Sequence, residues 1–275
     1  EADVLIENFR PGTLERLGLA PDVLWEANPT LVITRVTGFG QDGPHAGRPG
    51  FATIAEAMSG FADINGSPDG PPVLPPIALT DELTAVVAAY ATMAAVHAGV
   101  GQVVDVSLLD SLFSFMGHNW AAYAADGTLQ PRMGSELPYS VPRNAYETAD
   151  GRWVALSASA DTVAARVATM VGLGDDERLR SFAGRVAHRA ELDAAVAAFI
   201  AERTLDEVLT AFDAADAAVA PIYSMADVAE DPHFVERDAT VTVDGIAMPG
   251  LLARFSETPG RIRWAGRDER GRPAG

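Results

Sequence analysis

The stretch Ser107-Leu108-Leu109-Asp110 places a hydroxyl and a carboxylate three residues apart, directly after the β-branched run Val103 to Val106. This is the spacing of a capping box, in which the hydroxyl accepts from the third helical N–H and the acid reaches back to the N-cap amide. In that plain role Asp110 ties down the start of its own helix and interacts with the helix dipole, worth about 0.3–1 kcal/mol. The same placement suits a nucleophile. A carboxylate at a strand-to-helix junction lies at the carboxyl edge of a parallel sheet, where ligands bind in such folds. The positive helix end favours the ionised form, and a reference pKa of ~3.9 leaves an aspartate charged at neutral pH without a base. On spacing alone capping outweighs catalysis, because capping boxes are common.

Other candidates are weaker. Gly38-x-Gly40-x-x-Gly43 follows a strand-like run and matches the dinucleotide fingerprint. That fingerprint needs a helix starting on the glycines, and Pro44, Gly47 and Pro49 forbid it. The stretch reads as a tight loop lining a ligand cleft. The histidines His45, His97, His118, His188 and His233 are not paired at metal-ligand spacing, so no metal site is expected. His118 reads as a satisfied core histidine. No G-x-S-x-G elbow occurs. Asp81 and Glu82 read as a first-turn acidic pair. Arg10 and Arg16 flank a Pro-Gly turn and a helix start; they are solvated surface charges or, alternatively, anion ligands.

The elements that must position these residues alternate. Strands are expected at Val4 to Ile6, Leu31 to Val36 and Val103 to Val106. Helices are expected at Pro11 to Leu17, Pro21 to Ala27 and Phe51 to Met58, with a long Ala-rich one capped by Thr80 and running to about His97. A single apolar helix is expected from Leu108 to Ala124. Such alternation implies an α/β fold with a parallel sheet. Gly127 to Pro142 reads as a linker. Beyond it, Asn144 to Thr148 and Trp153 to Ser157 flank the hairpin signal Asp150-Gly151. Helices follow at Asp161 to Val171, Arg189 to Ala201 and Leu205 to Ala214, then a short strand at Ala217 to Ile222. From Asp231 onward the chain reads as strand-poor and loop-rich. We therefore divide it into a large α/β domain over residues 1–125, a linker over 126–143, a smaller α+β domain over 144–225 and a return segment over 226–275. A strand so close to residue 1 suggests that part of the first domain lies upstream.

The 275 residues are 48% hydrophobic and contain no cysteine, which excludes disulfides and thiolate metal sites. A net charge of −18 disfavours nucleic acid and anionic membrane surfaces. All twenty cations are arginine, so a bound anion would be held by guanidinium forks, helix N-termini or backbone N–H groups. Between Arg48 and Arg132 there is no basic side chain, and this charge-poor stretch is expected to form the buried centre. No uninterrupted apolar run of about 18 residues occurs, and the acidic start is unlike a signal peptide. The expectation is a soluble, cytoplasmic protein.

Several stretches, in order along the chain, together resemble family III CoA-transferases, the formyl-CoA and carnitine CoA-transferase type. They are Ala2-Asp3-Val4-Leu5-Ile6-Glu7-Asn8-Phe9-Arg10-Pro11-Gly12, Asn28-Pro29, Thr37 to Pro44, and Gly101-Gln102-Val103-Val104-Asp105-Val106-Ser107-Leu108-Leu109-Asp110. Pro131-Arg132-Met133-Gly134, Tyr146 to Gly151, Ala220-Pro221-Ile222-Tyr223, Asp231-Pro232-His233, Met248-Pro249-Gly250 and Thr258-Pro259-Gly260 continue the set. The resemblance implies that Asp110 is the catalytic aspartate. It puts Asn8, Phe9, Arg10 and Arg16, with Pro49, Gly50, Phe51 and Ala52, at CoA contacts. Arg132, Gly134 and Ser135 then begin a mobile loop over the site. It also implies a ring-like chain in an interlocked homodimer, with CoA and its esters as substrates, a small carboxylic acid as the second substrate and no tightly bound cofactor. The first βαβ portion of the family is missing here, Ala52 stands where many members have Asp, and Glu56 where many have Gln.

The implied chemistry is transfer through an aspartyl anhydride and an aspartyl-CoA thioester. Amides at the start of the Asp110 helix would stabilise the oxyanion, and the loop near Gly134 would exclude water. Two alternatives stand. An α-methylacyl-CoA racemase needs two acid/base groups; Asp81 matches one, but Phe51 stands where the other, a histidine, would be. A non-catalytic or partner-dependent family fragment would keep the shell of the fold without its chemistry.

Overall fold

Three short strands, Val4–Glu7 (β1), Val32–Thr37 (β2) and Gln102–Ser107 (β3), pair in parallel in the order β1-β2-β3. Their registers run Glu7 to Arg35 to Asp105 across all three strands, and Thr37 to Ser107 across the last two. The computed structural model describes residues 2–266. Contacts divide the chain after Tyr139, with the second unit starting at Ser140, and each unit has its own sheet.

In the first unit β1 leads into helices Thr13–Arg16 (α1) and Pro21–Ala27 (α2), the latter with Pro at its first turn. After β2 come the glycine loop and helices Ala52–Met58 (α3), Phe61–Ile64 (α4) and Leu79–Ala98 (α5). Thr80 does not cap α5: it lies inside the helix, Ala78 is the N-cap, and the Thr80 hydroxyl donates to Glu56 Oε1 at 3.0 Å. That bond supplies the buried Glu56 carboxylate with a partner, as burial requires.

The expectation that residues 48–132 form the buried centre is overturned. Helix α5 turns inward its small residues, Thr80, Thr84, Ala88, Thr92 and Ala95. Thr92 shares a buried hydroxyl bond with Thr34 of β2. Its bulky apolar residues, Val86, Tyr90 and Met93, are exposed. Their i, i+4 and i+3 spacing puts them on one outward face. Composition reports that a helix is apolar, not which face meets the sheet. By length and composition α5 is also apolar enough to cross a membrane, which the search for an uninterrupted apolar run did not pick out.

The expected single helix over 108–124 is two, Leu108–Ser114 (α6) and Gly117–Asp126 (α7). Between them Phe115 and Met116 donate to carbonyls three residues back, closing a tight turn. Gly117, which weakens a helix by about 1 kcal/mol, sits at the break. His118 is exposed on α7, edge-on to Tyr139 with ring centroids 5.3 Å apart, and not in a core.

The second unit holds Arg143–Glu147 (β4), Trp153–Ser157 (β5) and Val219–Pro221 (β6) in an antiparallel sheet ordered β4-β5-β6. Helices Asp161–Met170 (α8), Phe182–Ala187 (α9), Arg189–Ala201 (α10) and Leu205–Ala214 (α11) complete its main body. A core of Tyr146, Val154, Leu156, Val167, Leu192 and Phe212 lies here. Helix α9 escaped the sequence reading, although Ser181 caps it. So did helices Met225–Glu230 (α12) and Pro232–Glu236 (α13), opened by a Ser224–Asp227 capping box and by Asp231 with Pro at the first position. The stretch read as strand-poor contains the hairpin Thr240–Val243 (β7) and Ile246–Pro249 (β8). Its turn residues Asp244 and Gly245 have φ of 52° and 77°, the two-residue Asp-Gly signature that was legible and missed.

Candidate active site

Strands β1 and β2 end in loops, and β3 runs straight into α6. In a parallel sheet all carboxyl ends lie at one edge, so the loops after β1 and β2 and the start of α6 meet there. With strands about 4.8 Å apart, β1 and β3 are roughly 10 Å from one another.

Asp110 opens α6 after β3 and is exposed. Ser107 is the N-cap and its Oγ accepts the Asp110 N–H at 2.9 Å. The same hydroxyl donates to Asp110 Oδ2 at 2.6 Å. Only half of a capping box forms, because the carboxylate bonds to the Ser107 hydroxyl where the full motif would reach the N-cap amide. By contrast the Thr204–Glu207 pair of α11 makes both bonds. Asp110 therefore stands at an open sheet edge with one oriented oxygen. The amides expected to receive an oxyanion are already engaged: Asp110 N–H by Ser107, and Leu109 N–H by the Gly38 carbonyl at 3.2 Å.

The glycine loop after β2 is fastened from several sides. Thr37 Oγ1 accepts from Gly40 N–H at 2.9 Å, and Asp105 Oδ2 accepts from Gln41 N–H at 2.8 Å. Gly38 meets Gly50 so closely that a Cβ on Gly38 would lie 2.6 Å from the Gly50 Cα. This contact brings Pro49, Gly50, Phe51 and Ala52 to the start of α6. Gly38→Ala is expected to force the two backbones apart, costing about 1–3 kcal/mol as an overpacking substitution. A urea midpoint and a CoA titration should both move; unchanged values would mean that the contact is not needed. Gln41 Nε2 is shielded from solvent and has no partner among the described residues.

Asn8, Phe9 and Arg10 follow β1, all exposed. Glu7 Oε2 accepts the Phe9 N–H at 2.6 Å, and its Oε1 accepts from Arg35 Nε at 2.6 Å. Arg35 also forks onto Glu15 at 2.8 and 3.3 Å. Glu7 and Arg35 are only 6% and 5% exposed, so this is a buried ion pair. The bond from Arg35 holds the Glu15 carboxyl below its ordinary value of 4.5. Burial pulls the Arg35 guanidinium down, but the bonds to Glu15 and Glu7 outweigh it and the net shift is upward. Arg16 is exposed and donates to Thr13 Oγ1 at 2.8 Å.

Arg132, Gly134 and Ser135 lie between α7 and the second unit. Arg132 donates to the Asp63 carbonyl at 3.0 Å, and Gly134 N–H to the Gly66 carbonyl at 2.8 Å, which fastens this stretch to the loop after α4. A cavity of about 230 Å³ in the first unit is lined by Phe113, Met116, Trp120, Tyr123 and Leu129, with the unpartnered Asn119 Oδ1. Phe113 is one helical turn from Asp110, though Asp110 does not line the cavity. Among the described residues no cluster of three or more metal-ligating side chains occurs.

The sequence missed the roles of Thr37, Asp105, Glu7 and Arg35. Period-2 alternation over Asp105 and Ser107 signals a shared face, but their bonds to the glycine loop and to Asp110 could not be read from it.

The model of CoA-transferase family III matches residues 1–268. A succinyl-CoA:D-citramalate CoA-transferase of Chloroflexus aurantiacus is 38% identical over 96% of this chain and 69% of its own length. A succinate:glutarate CoA-transferase of Agrobacterium fabrum is 34% identical over 94% of this chain and 67% of its own length. The crystal structure of a CAIB/BAIF family protein from Brucella suis superposes with a TM-score of 0.79 at 30% identity, covering 94% of this chain and 70% of that one. A match of this extent to the model and to named transferases, on a parallel sheet whose carboxyl edge carries an open carboxylate, shows that the chain belongs to CoA-transferase family III and is a transferase enzyme.

Proposed function

We propose that this chain moves CoA between an acyl-CoA and a free carboxylic acid with Asp110 as the transient acyl carrier. The observation that carries the reading is the half-formed cap: Asp110 is exposed at the sheet edge with its carboxylate held by the Ser107 hydroxyl. The Asp110 carboxylate attacks the thioester carbonyl and expels CoA thiolate, giving a mixed anhydride. The thiolate attacks the aspartyl carbonyl, releasing the donor acid and leaving an aspartyl-CoA thioester. The acceptor carboxylate attacks that thioester and expels CoA thiolate, giving a second mixed anhydride; the thiolate then attacks the acceptor's acyl carbon, forming the new acyl-CoA and releasing Asp110 as a carboxylate.

Binding of the remote nucleotide part of CoA supplies energy for the strained anhydride step. Asn8, Phe9, Arg10 and Arg16, with the exposed Pro49 and Phe51 and the half-buried Gly50 and Ala52, are suited to that contact by their place around one sheet edge. The relatives named for succinyl-CoA with D-citramalate and for succinate with glutarate support succinyl-CoA as donor and a short dicarboxylic acid as acceptor. A second copy of the chain is the proposed partner, covering the outward apolar face of α5.

The oxygen balance gives a direct test. Each turnover leaves one oxygen of the acceptor carboxylate on Asp110, and the next turnover passes one aspartyl oxygen to the released donor acid. Succinyl-CoA incubated with an acceptor acid labelled in its carboxylate with heavy oxygen should label the Asp110 peptide and then the succinate. Turnover without label in either would end the proposal. Deuterium wash-in at the acyl α-carbon without acid exchange would instead favour the racemase reading, which the side chain of Phe51 does not support.

A further inference from the structure

We propose that the cross-strand row Glu7–Arg35–Asp105 is a positioning device that fixes two substrate-contacting loops relative to the Asp110 carboxylate. The inference rests on reading Asp110 as nucleophile and residues 8–10 as a CoA contact, and it assigns roles to three residues outside those sets.

The three residues are register partners on adjacent parallel strands, so their side chains leave the same face of the sheet near its carboxyl edge. Their charges alternate in sign across neighbouring strands. Each end of the row holds a loop amide through a carboxylate oxygen: Glu7 Oε2 takes Phe9 N–H at 2.6 Å, and Asp105 Oδ2 takes Gln41 N–H at 2.8 Å. Hydrogen bonds to a charged acceptor are about twice as strong as neutral ones. The middle member, Arg35, fixes Glu7 through Nε and anchors α1 through Glu15. One row further along the same face, Thr37 holds Gly40 N–H and Ser107 holds Asp110. The loop after β1, the glycine loop and the nucleophile are thus indexed to the same rigid strands. Gly40 fits this arrangement: with φ of +88°, its missing Cβ would stand 3.5 Å from Asp105 Oδ2.

The two ends should act on different kinetic constants. Glu7 governs the segment read as contacting CoA, so its loss should affect binding. Asp105 governs the loop beside the reacting carbonyl, where misplacement by about 1 Å can cost 10²-fold in rate. Asp105 is exposed, so its removal leaves no buried charge and the fold should survive.

The test uses the full chain with succinyl-CoA and a short diacid, and CoA alone for binding. Asp105→Ala should lower kcat by about 10²-fold with KM for succinyl-CoA within about twofold. Asp105→Asn, which keeps a carbonyl acceptor for the Gln41 N–H, should recover most of the loss. Glu7→Gln should weaken CoA binding by about tenfold while kcat stays within about threefold, since charge-assisted bonds exceed neutral ones. Amide exchange should speed up around Gln41 in Asp105→Ala and around Phe9 in Glu7→Gln. Wild-type kcat in Asp105→Ala, a folded Asp105→Asn that is no better than Ala, or unchanged exchange at either amide would overturn the proposal. Amide exchange and CoA binding need no turnover, so they judge the row even if Asp110 proves not to be the nucleophile.

Discussion

Asp110→Asn is expected to abolish CoA transfer, by on the order of 10³-fold or more in kcat, with little change in stability. The reason is in the geometry around Ser107. Asparagine keeps the shape of the side chain and a carbonyl oxygen that can accept from the Ser107 hydroxyl, which now contacts Oδ2 at 2.6 Å. Its backbone N–H still donates to Ser107 Oγ. The cap of α6 therefore survives. What is lost is the anionic oxygen that must become an anhydride oxygen, and a neutral amide cannot replace it. If Asp110 served only as a cap, the same variant would be nearly silent in rate. The measurement is CoA exchange between succinyl-CoA and a diacid, alongside a thermal midpoint. Turnover within about tenfold of the parent protein would remove Asp110 from the chemistry. Ser107→Ala separates the two functions from the other side: it deletes the cap, costing about 1 kcal/mol, and releases the orientation of the carboxylate without removing it.

Arg35→Met is expected to destabilise the first unit by about 3–5 kcal/mol, the range for removing one partner of a buried ion pair. Methionine fills much of the arginine volume, so the loss is electrostatic more than steric. Glu7, 6% exposed in the parent protein, keeps the bond from the Phe9 N–H but loses its buried counter-charge. The pH dependence has a definite sign. In the parent protein the bond from Arg35 lowers the Glu15 carboxyl below 4.5. A depressed acid contributes stability in full above its unfolded value and loses it as the pH falls through the folded one. The gap between parent and variant should therefore be widest near neutrality and narrow below about pH 4.5. Urea midpoints at both ends of that range decide it. An equal gap throughout, or one below about 1 kcal/mol, would show that the pair does not hold the unit together.

The sequence and the structure agree where the deciding forces are local. Helix α2 begins at Pro21 because proline suits a first turn, and β2 follows its β-branched run. The rejected dinucleotide fingerprint is indeed a loop, since proline after the glycines cannot continue a helix. Errors arose where a local signal had two outcomes. Thr80 looked like a cap and became a partner for Glu56, 24 positions away. The apolar run after Asp110 looked like one helix, yet breaks at the turn before Gly117. Asp244-Gly245 was a readable turn that was passed over among prolines.

By itself the sequence determined the three strands of the first sheet, the place of Asp110 at a strand-to-helix junction and, through its ordered motifs, the family. These depend on neighbours within a few positions, where backbone sterics and side-chain capping act. The tertiary structure alone decided that the Asp110 carboxylate is left open, that Asp105 reaches Gln41 across 64 positions, and that α5 turns its bulky face outward. Those outcomes follow from strand register and from which surfaces compete for burial, and both are set by contacts between segments far apart in the chain.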